Sequence, residues 1–437
     1  MTAYERELHL NVNILDAGKH PGAWRFQDDP RWFLDIDYFS TIARLAERGT
    51  FDAVFLSDGV ALLSEPAEKP WQALEPTVLL AALARETEHV GLIGTASTTF
   101  NDPFNLARRF ASLDHLSRGR AALNVVTSYS PRAAANFGLD VVPDHDARYA
   151  RAEEFVDVLT GLWDSWDDDA ITGKRDAVAF MDPAGVRPIH HRGEHFAVRG
   201  PLNVPRSPQG RPVLVQAGSS EVGKRFAARV AEVVFTAQTT HGAAQAFYAD
   251  MKNRARAFGR DPGHLVVLPG LFPVVGSTEA EAWARKDALD ELFPFDLELP
   301  RLAAQLGLDP ADLPLDRELP YDLLGDAGQF TGSRGFLEAT VNLARERGYT
   351  VRELLLSNGG GHRQVVGSPE QVVDSIEHWF HSRAADGFNL NFDVFPSGLE
   401  TFVEHVIPEL RRRGLFRSAY TGRTLRDHLG LPRPPRR

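Results

Sequence analysis

Apolar residues recur along this chain in two alternating rhythms. Short runs such as LHLNVNIL (8–15) and DAVFLSD (52–58) read as strands. Between them Ile36, Phe39, Ala43 and Ala46 fall at helical spacing. The pattern continues with a helix through PTVLLAALARE, a strand at VGLIGTAST, a helix at FNLARRFASLDHL and a fourth strand opening GRAALNVVTSYS. Phe155, Val158, Leu159 and Leu162 mark the next helix. PVLVQAG, EVVFTAQ and HLVVLPGLFPVV read as strands five to seven, and a polar helix is expected at 278–292. Two helical patterns, the second with Val372, Ile376 and Trp379 on one face, precede FNLNFDV, the eighth strand. Strands and helices in this alternation predict a (β/α)8 TIM barrel, one domain over 1–437 with insertions at about 164–211 and 294–330. An open doubly wound sheet would show the same alternation.

Several strands end in small polar groups, and the carboxyl ends of barrel strands are where ligands bind. Strand two ends in Ser57-Asp58, strand three in Thr95 to Thr99, strand four in Thr127-Ser128 and strand five in Gln216 to Ser220. In QAGSSEVGKRFAARV a strand delivers Gly218 into a turn, and a helix begins at Ser219 or Ser220. A helix start with unpaired N–H groups suits a phosphate, and it equally suits a plain serine N-cap. Glu221 favours the cap unless its carboxylate points away. His145 and Tyr149 in DHDARYARAEEF share one helix face, and either a solvated first turn or a pair of donors fits them.

Composition narrows the chemistry. The 437 residues carry a net charge of −11 with both signs interspersed, and no basic stripe of a nucleic-acid binder is present. There is no cysteine, which excludes thiolate catalysis, thiolate metal sites and disulfides. HHRGEH (190–195) lacks metal-ligand spacing, so no metal is expected. The start MTAYERELHLNVN has no apolar signal core, and no run of about 18 apolar residues occurs, so a soluble cytoplasmic protein is expected. LPRPPRR reads as a frayed terminus, and His362 in NGGGHRQ reads as an exposed loop histidine or a catalytic candidate beside a glycine hinge.

The segments AWRF, LAERGTFDAVFLSD, PFNLARRFASLDHLSRGRAALNVVTS, AAANFG, HDARYARAEEF, HHRGEHFAVRGPLNVPRSPQGRPVLVQAGSS and GSPEQVVDSIEHWFHSRAADGFNLNF follow one another in a familiar order. The chain resembles the flavin-dependent monooxygenases of the nitrilotriacetate, pristinamycin and dibenzothiophene sulfone type, within the bacterial luciferase-like superfamily. The resemblance implies a barrel that takes reduced FMN (FMNH2) from a separate NAD(P)H:flavin reductase and uses O2 to oxidise a small organic substrate. It also implies a homo-oligomer, dimer or tetramer. Asp58, Thr95, His145, Tyr149 and Ser220 fall on its flavin-contacting positions, with Ser97, Asn124 and Ser219 as lesser ones; Gly218 belongs to the same turn. The chain departs from the pattern at Phe26, at Ala122-Leu123 and at Tyr129, which points to a different substrate pocket. Trp24, Phe26, Trp32 and Phe33 offer aromatic surface to a substrate or pack over the barrel mouth. Competing readings are a deazaflavin-dependent oxidoreductase, a flavin-binding protein without turnover, and a barrel hydrolase, whose metal ligands on strand one are missing.

Overall fold

A computed structural model describes residues 6–62, 73–176, 178–324, 334–357 and 361–435. The strands are β1 His9–Asn13, β2 Ala53–Leu56, β3 Gly91–Ser97, β4 Ala121–Val126, β5 His191–Arg192, β6 Ala197–Val198, β7 Val213–Gln216, β8 Val233–Thr236, β9 Val266–Val275, β10 Arg363–Gly367 and β11 Gly387–Leu390. Eight of them close a parallel barrel in the order β1-β2-β3-β4-β7-β8-β9-β11, with β11 returning to β1. The expected architecture is therefore present, and the open sheet is excluded.

Successive side chains on a strand point to opposite faces. Leu8, Leu10, Val12 and Ile14 pack outward into the large cluster shared with the surrounding helices. The alternate residues of β1, including Asn11 and Asn13, are buried on the bore side. By the same parity Thr95, Ser97, Asn124, Asn389 and Asn391 face the bore. Its apolar part contains Ala53, Phe55, Ile93, Ala122, Val213, Val233, Val266 and Leu268, packed on Leu425, Leu429 and Leu431. The C-terminal segment thus plugs the floor of the barrel.

That packing corrects the frayed-terminus expectation. Leu431 is buried, Arg206 donates to the carbonyl oxygens of Pro434 and Pro435, and Arg433 forms a bidentate pair with Asp168. Proline carbonyls and a guanidinium serve as ties as well as any regular element does.

Three further strands lie outside the expected eight. β5 and β6 form a small antiparallel hairpin in the first insertion. Glu154 anchors it, with Oε1 2.8 Å from His191 Nε2 and with N–H donors from His195 and Phe196. β10 runs parallel to the far half of β9 and places Arg363 and Gln364, expected in a loop, in a strand. Gly359 and Gly360 of the expected hinge lie outside the described residues. Helix Phe295–Leu306 of the second insertion shares an apolar cluster with helices Arg334–Arg347 and Val351–Ser357, so in the structure this insertion runs on past 330. They meet the barrel where Thr239 donates to the carbonyl of Ala339 at 2.8 Å.

The loop after β1 is clipped to the segment after β11. Lys19 N donates to Phe392 O, and Phe395 N donates to Ala17 O, both at 2.7 Å. Gly18 has φ +142°, and a Cβ there would stand 2.2 Å from the Asp393 carbonyl oxygen, so only glycine fits. In this loop Trp32 is buried, whereas Trp24 and Phe26 stay about half exposed, at 45% and 52%.

Candidate functional site

The helix Glu221–Val230 starts immediately beyond β7, and Ser220 is its N-cap: its Oγ accepts from Gly223 N at 3.1 Å. Helix His145–Trp163 starts nearby, capped by Asp144, whose carboxylate accepts from Ala147 N at 2.9 Å. The two helix starts converge. His145 Nε2 lies 3.3 Å from Ser220 Oγ, and the His145 and Tyr149 rings are 4.9 Å apart. The Tyr149 hydroxyl is hydrogen-bonded with Thr127, Ser220 and Gln216. Burial raises its pKa, so the phenol stays protonated and able to donate.

Glycines make the room. A Cβ on Gly218 would stand 2.9 Å from the Tyr149 hydroxyl, and one on Gly223 would stand 2.8 Å from it. Gly218 N is turned onto Gln216 Oε1 at 2.6 Å. The result is an open pocket of about 390 Å³ lined by Asp144, His145, Asp146, Ser220, Glu221 and Val222. Three acidic residues border it, yet each is engaged. Asp144 caps its helix, Asp146 lies 3.1 Å from His145 Nδ1, and Glu221 pairs with Lys224 and with Arg254 at 2.7 Å. Those cations hold the Glu221 carboxyl below its usual range, so its charge is compensated along the helix flank.

The other expected residues are distributed around the mouth. Asn124 Nδ2 donates to Thr95 Oγ1 at 2.9 Å inside the bore, leaving Asn124 Oδ1 without a partner among the described residues. Ser97 Oγ accepts from Thr99 N. Asp58 follows β2; burial first, and the charge of Glu75 second, push its carboxyl up to about 6. Ser219 turns away from the cradle toward the second insertion, so close that a Cβ on Gly335 would stand 1.8 Å from its Oγ. Structure thus gathers His145, Tyr149, Gly218 and Ser220 into one cradle and Thr95 and Asn124 into a second pair with Ser97 on the same face of β3, and leaves Asp58 and Ser219 apart from both.

His362 is not an exposed loop residue. It is 2% exposed, with its ring 5.3 Å from Phe235 and 5.5 Å from Phe336. The close approach of helix Arg334–Arg347 buries it, a contact far away in sequence. Sequence reasoning also passed over Thr127 and Gln216 as ligands of Tyr149, and over the bore asparagines Asn11, Asn13, Asn389 and Asn391. Their signal is the alternate placing of asparagine in HLNVN and NLNF. Among the described residues, no three His, Asp or Glu side chains gather to hold a metal, and His191 of HHRGEH faces Glu154.

The family profile described as luciferase-like monooxygenase matches residues 16–387. The chain is 46% identical to nitrilotriacetate monooxygenase component A of Aminobacter aminovorans, over 98% of this chain and 97% of that protein. Its fold superposes on the EDTA monooxygenase of Chelativorans sp. with a TM-score of 0.83, at 37% identity, covering 99% of this chain and 100% of that one. It superposes on a riboflavin lyase solved with modified FMN and riboflavin with a TM-score of 0.84, at 32% identity, covering 97% and 96%.

Proposed function

The chain belongs to the luciferase-like monooxygenase family, and from that premise we propose that it is the oxygenase of a two-component system. It takes reduced FMN from a separate NAD(P)H:flavin reductase in the cytoplasm and uses O2 to oxidise a small organic substrate. The observation that carries this reading is the cradle of Tyr149, Ser220 and His145 at two converging helix starts. Neutral donors, an imidazole and the N-terminal end of helix Glu221–Val230 suit one phosphate. The two glycines fit the same purpose, since a side chain on either would fill the space. The designation "component A" of the nitrilotriacetate relative supports a divided enzyme, and the riboflavin lyase solved with modified FMN supports a flavin cofactor.

Bound reduced FMN supplies the two electrons that activate O2. The chain supplies position and a dry mouth. Tyr149 and Ser220 donate to the phosphate, and His145, oriented by Asp146, adds a third contact. Thr95 and Asn124 present a hydroxyl and an amide deeper in the bore. Trp24 and Phe26 form an apolar rim that selects a substrate and sheds water when it binds.

The test is O2 consumption by the purified chain. With nicotinamide cofactor and oxidised FMN alone it stays at background, and an added flavin reductase starts it. In anaerobic titration, reduced FMN binds more tightly than the reduced adenine dinucleotide, because the cradle accommodates one phosphate. Sustained turnover without reductase, or equal affinity for the two flavins, overturns the reading.

A further inference from the structure

Resting on that reading, we propose that His362 is the proton carrier of the site. Its Nδ1 has no partner among the described residues. The ring occupies the space left by Gly270 of β9, where a Cβ would stand 2.2 Å from Nδ1. Phe235 flanks it from the bore and Phe336 from the second insertion. The register partner of Gly270 on β11 is Asn389, which is fully buried with both amide atoms unpartnered among the described residues. Asn389 in turn pairs in register with Asn11, whose Oδ1 is likewise unpartnered among them. A basic nitrogen and three amide atoms with unused hydrogen-bonding capacity therefore lie along three neighbouring strands. Buried polar groups rarely stay unpaired, so this line marks a place that another molecule completes.

The protonation state suits the role. Burial lowers the pKa of His362 well below its ordinary value, and the positive charge of Lys19, in the loop after β1, pushes the same way. Phe235, Phe336, Gly270 and Asn389, from β8, the insertion, β9 and β11, bring no charge to it. A neutral imidazole holds one lone pair and one N–H, so it can take up a proton and give one back.

The balance closes without another reagent. One O2 and the two electrons and two protons of reduced FMN place one oxygen atom on the substrate and release the other as water. That water needs both protons. His362 would accept one of the two protons that reduced FMN supplies, pass it to the oxygen that leaves as water, and end the turnover neutral.

No organic substrate is needed for the test: reduced FMN and O2 serve as probes, and without a substrate the same two electrons and two protons leave as hydrogen peroxide, so a proton must still be carried. His362→Ala leaves a ring-sized gap between the two phenylalanines, and His362→Gln keeps polar bulk should the alanine variant fold poorly. Both should bind oxidised FMN as the wild type does, while reoxidation of bound reduced FMN by O2 slows about 100-fold and loses its pH dependence in the acid range below that of an ordinary histidine. Imidazole should restore the rate and the pH profile to the alanine variant. Thiophene, a ring of similar size without a basic nitrogen, should not. In the protein without flavin, the imidazole nitrogen chemical shifts of His362 should report a neutral ring throughout the range in which an ordinary histidine titrates. Unchanged rates and pH profiles in both variants, or rescue by thiophene equal to that by imidazole, overturn the proposal. A wild-type protein that binds no FMN is recognised from the titration alone; that result overturns the functional reading and takes this proposal with it.

Discussion

Ser220 shows how one side chain serves two purposes. A hydroxyl has one donor and two acceptor positions. The N-cap uses an acceptor, for Gly223 N, and leaves the O–H hydrogen for a ligand or for His145. The cap and the phosphate contact, set against each other by sequence reasoning, are therefore compatible, and Ser220→Gly separates them. Glycine serves as an N-cap at a cost of only a few tenths of a kcal/mol. The expected outcome is a melting temperature near that of the wild type with reduced-FMN binding weaker by about 1.5–3 kcal/mol, roughly 10- to 150-fold. Tyr149→Phe should weaken binding by a similar factor, and anaerobic titration measures both. What was legible here was local: a Gly-Ser turn after a strand, and two residues four apart on a helix. Thr127 and Gln216 were hidden because their roles depend on which face of β4 and β7 meets Tyr149, and that follows from the register of the closed barrel.

Asp114 joins three elements. At the end of helix Pro103–Leu116 its Oδ1 accepts from Ala121 N of β4 at 2.9 Å and from Gln209 Nε2 of the first insertion at 2.8 Å. It is fully buried, and burial pushes its carboxyl up to about 6, against these hydrogen bonds. The native state therefore holds this proton to higher pH than the unfolded chain, whose carboxyl titrates near ~4. Between those values the native state binds more protons, so this group's contribution falls as pH rises and is fully unfavourable above about 6. Asp114→Asn should gain on the wild type by up to about 3 kcal/mol between pH ~4 and ~7, measured by denaturant unfolding at each pH. At this scale the sequence was most transparent for barrel strands and helices with long apolar patterns. β10 was missed because RQVVG is short and begins with two polar residues, and β5 and β6 because two-residue strands carry no period.

The floor plug ties the whole molecule together. Arg426, 2% exposed at its side chain, makes a bidentate pair with Glu232 at 2.6 and 3.0 Å, joining the last helix to the start of β8. Burial opposes the Glu232 charge, and Arg426 outweighs it, holding the carboxyl below its usual range. Arg426→Met leaves a buried carboxylate unpaired and should cost about 3–5 kcal/mol. The double variant with Glu232→Leu should recover part of that loss, and denaturation midpoints of the single and double variants measure the coupling. The barrel was readable because alternating strands and helices repeat along the chain. The plug was not, since what holds Leu425, Leu429 and Leu431 is a bore assembled from strands hundreds of residues away. The second insertion has a different consequence. Its helices share their own apolar cluster, and the contacts described above join it to the barrel at Ala339, Gly335 and Phe336, beside the mouth. Such a segment is a natural unit of exchange. Recombination between relatives at its borders would exchange the wall beside the mouth while the core and the cradle descend unchanged.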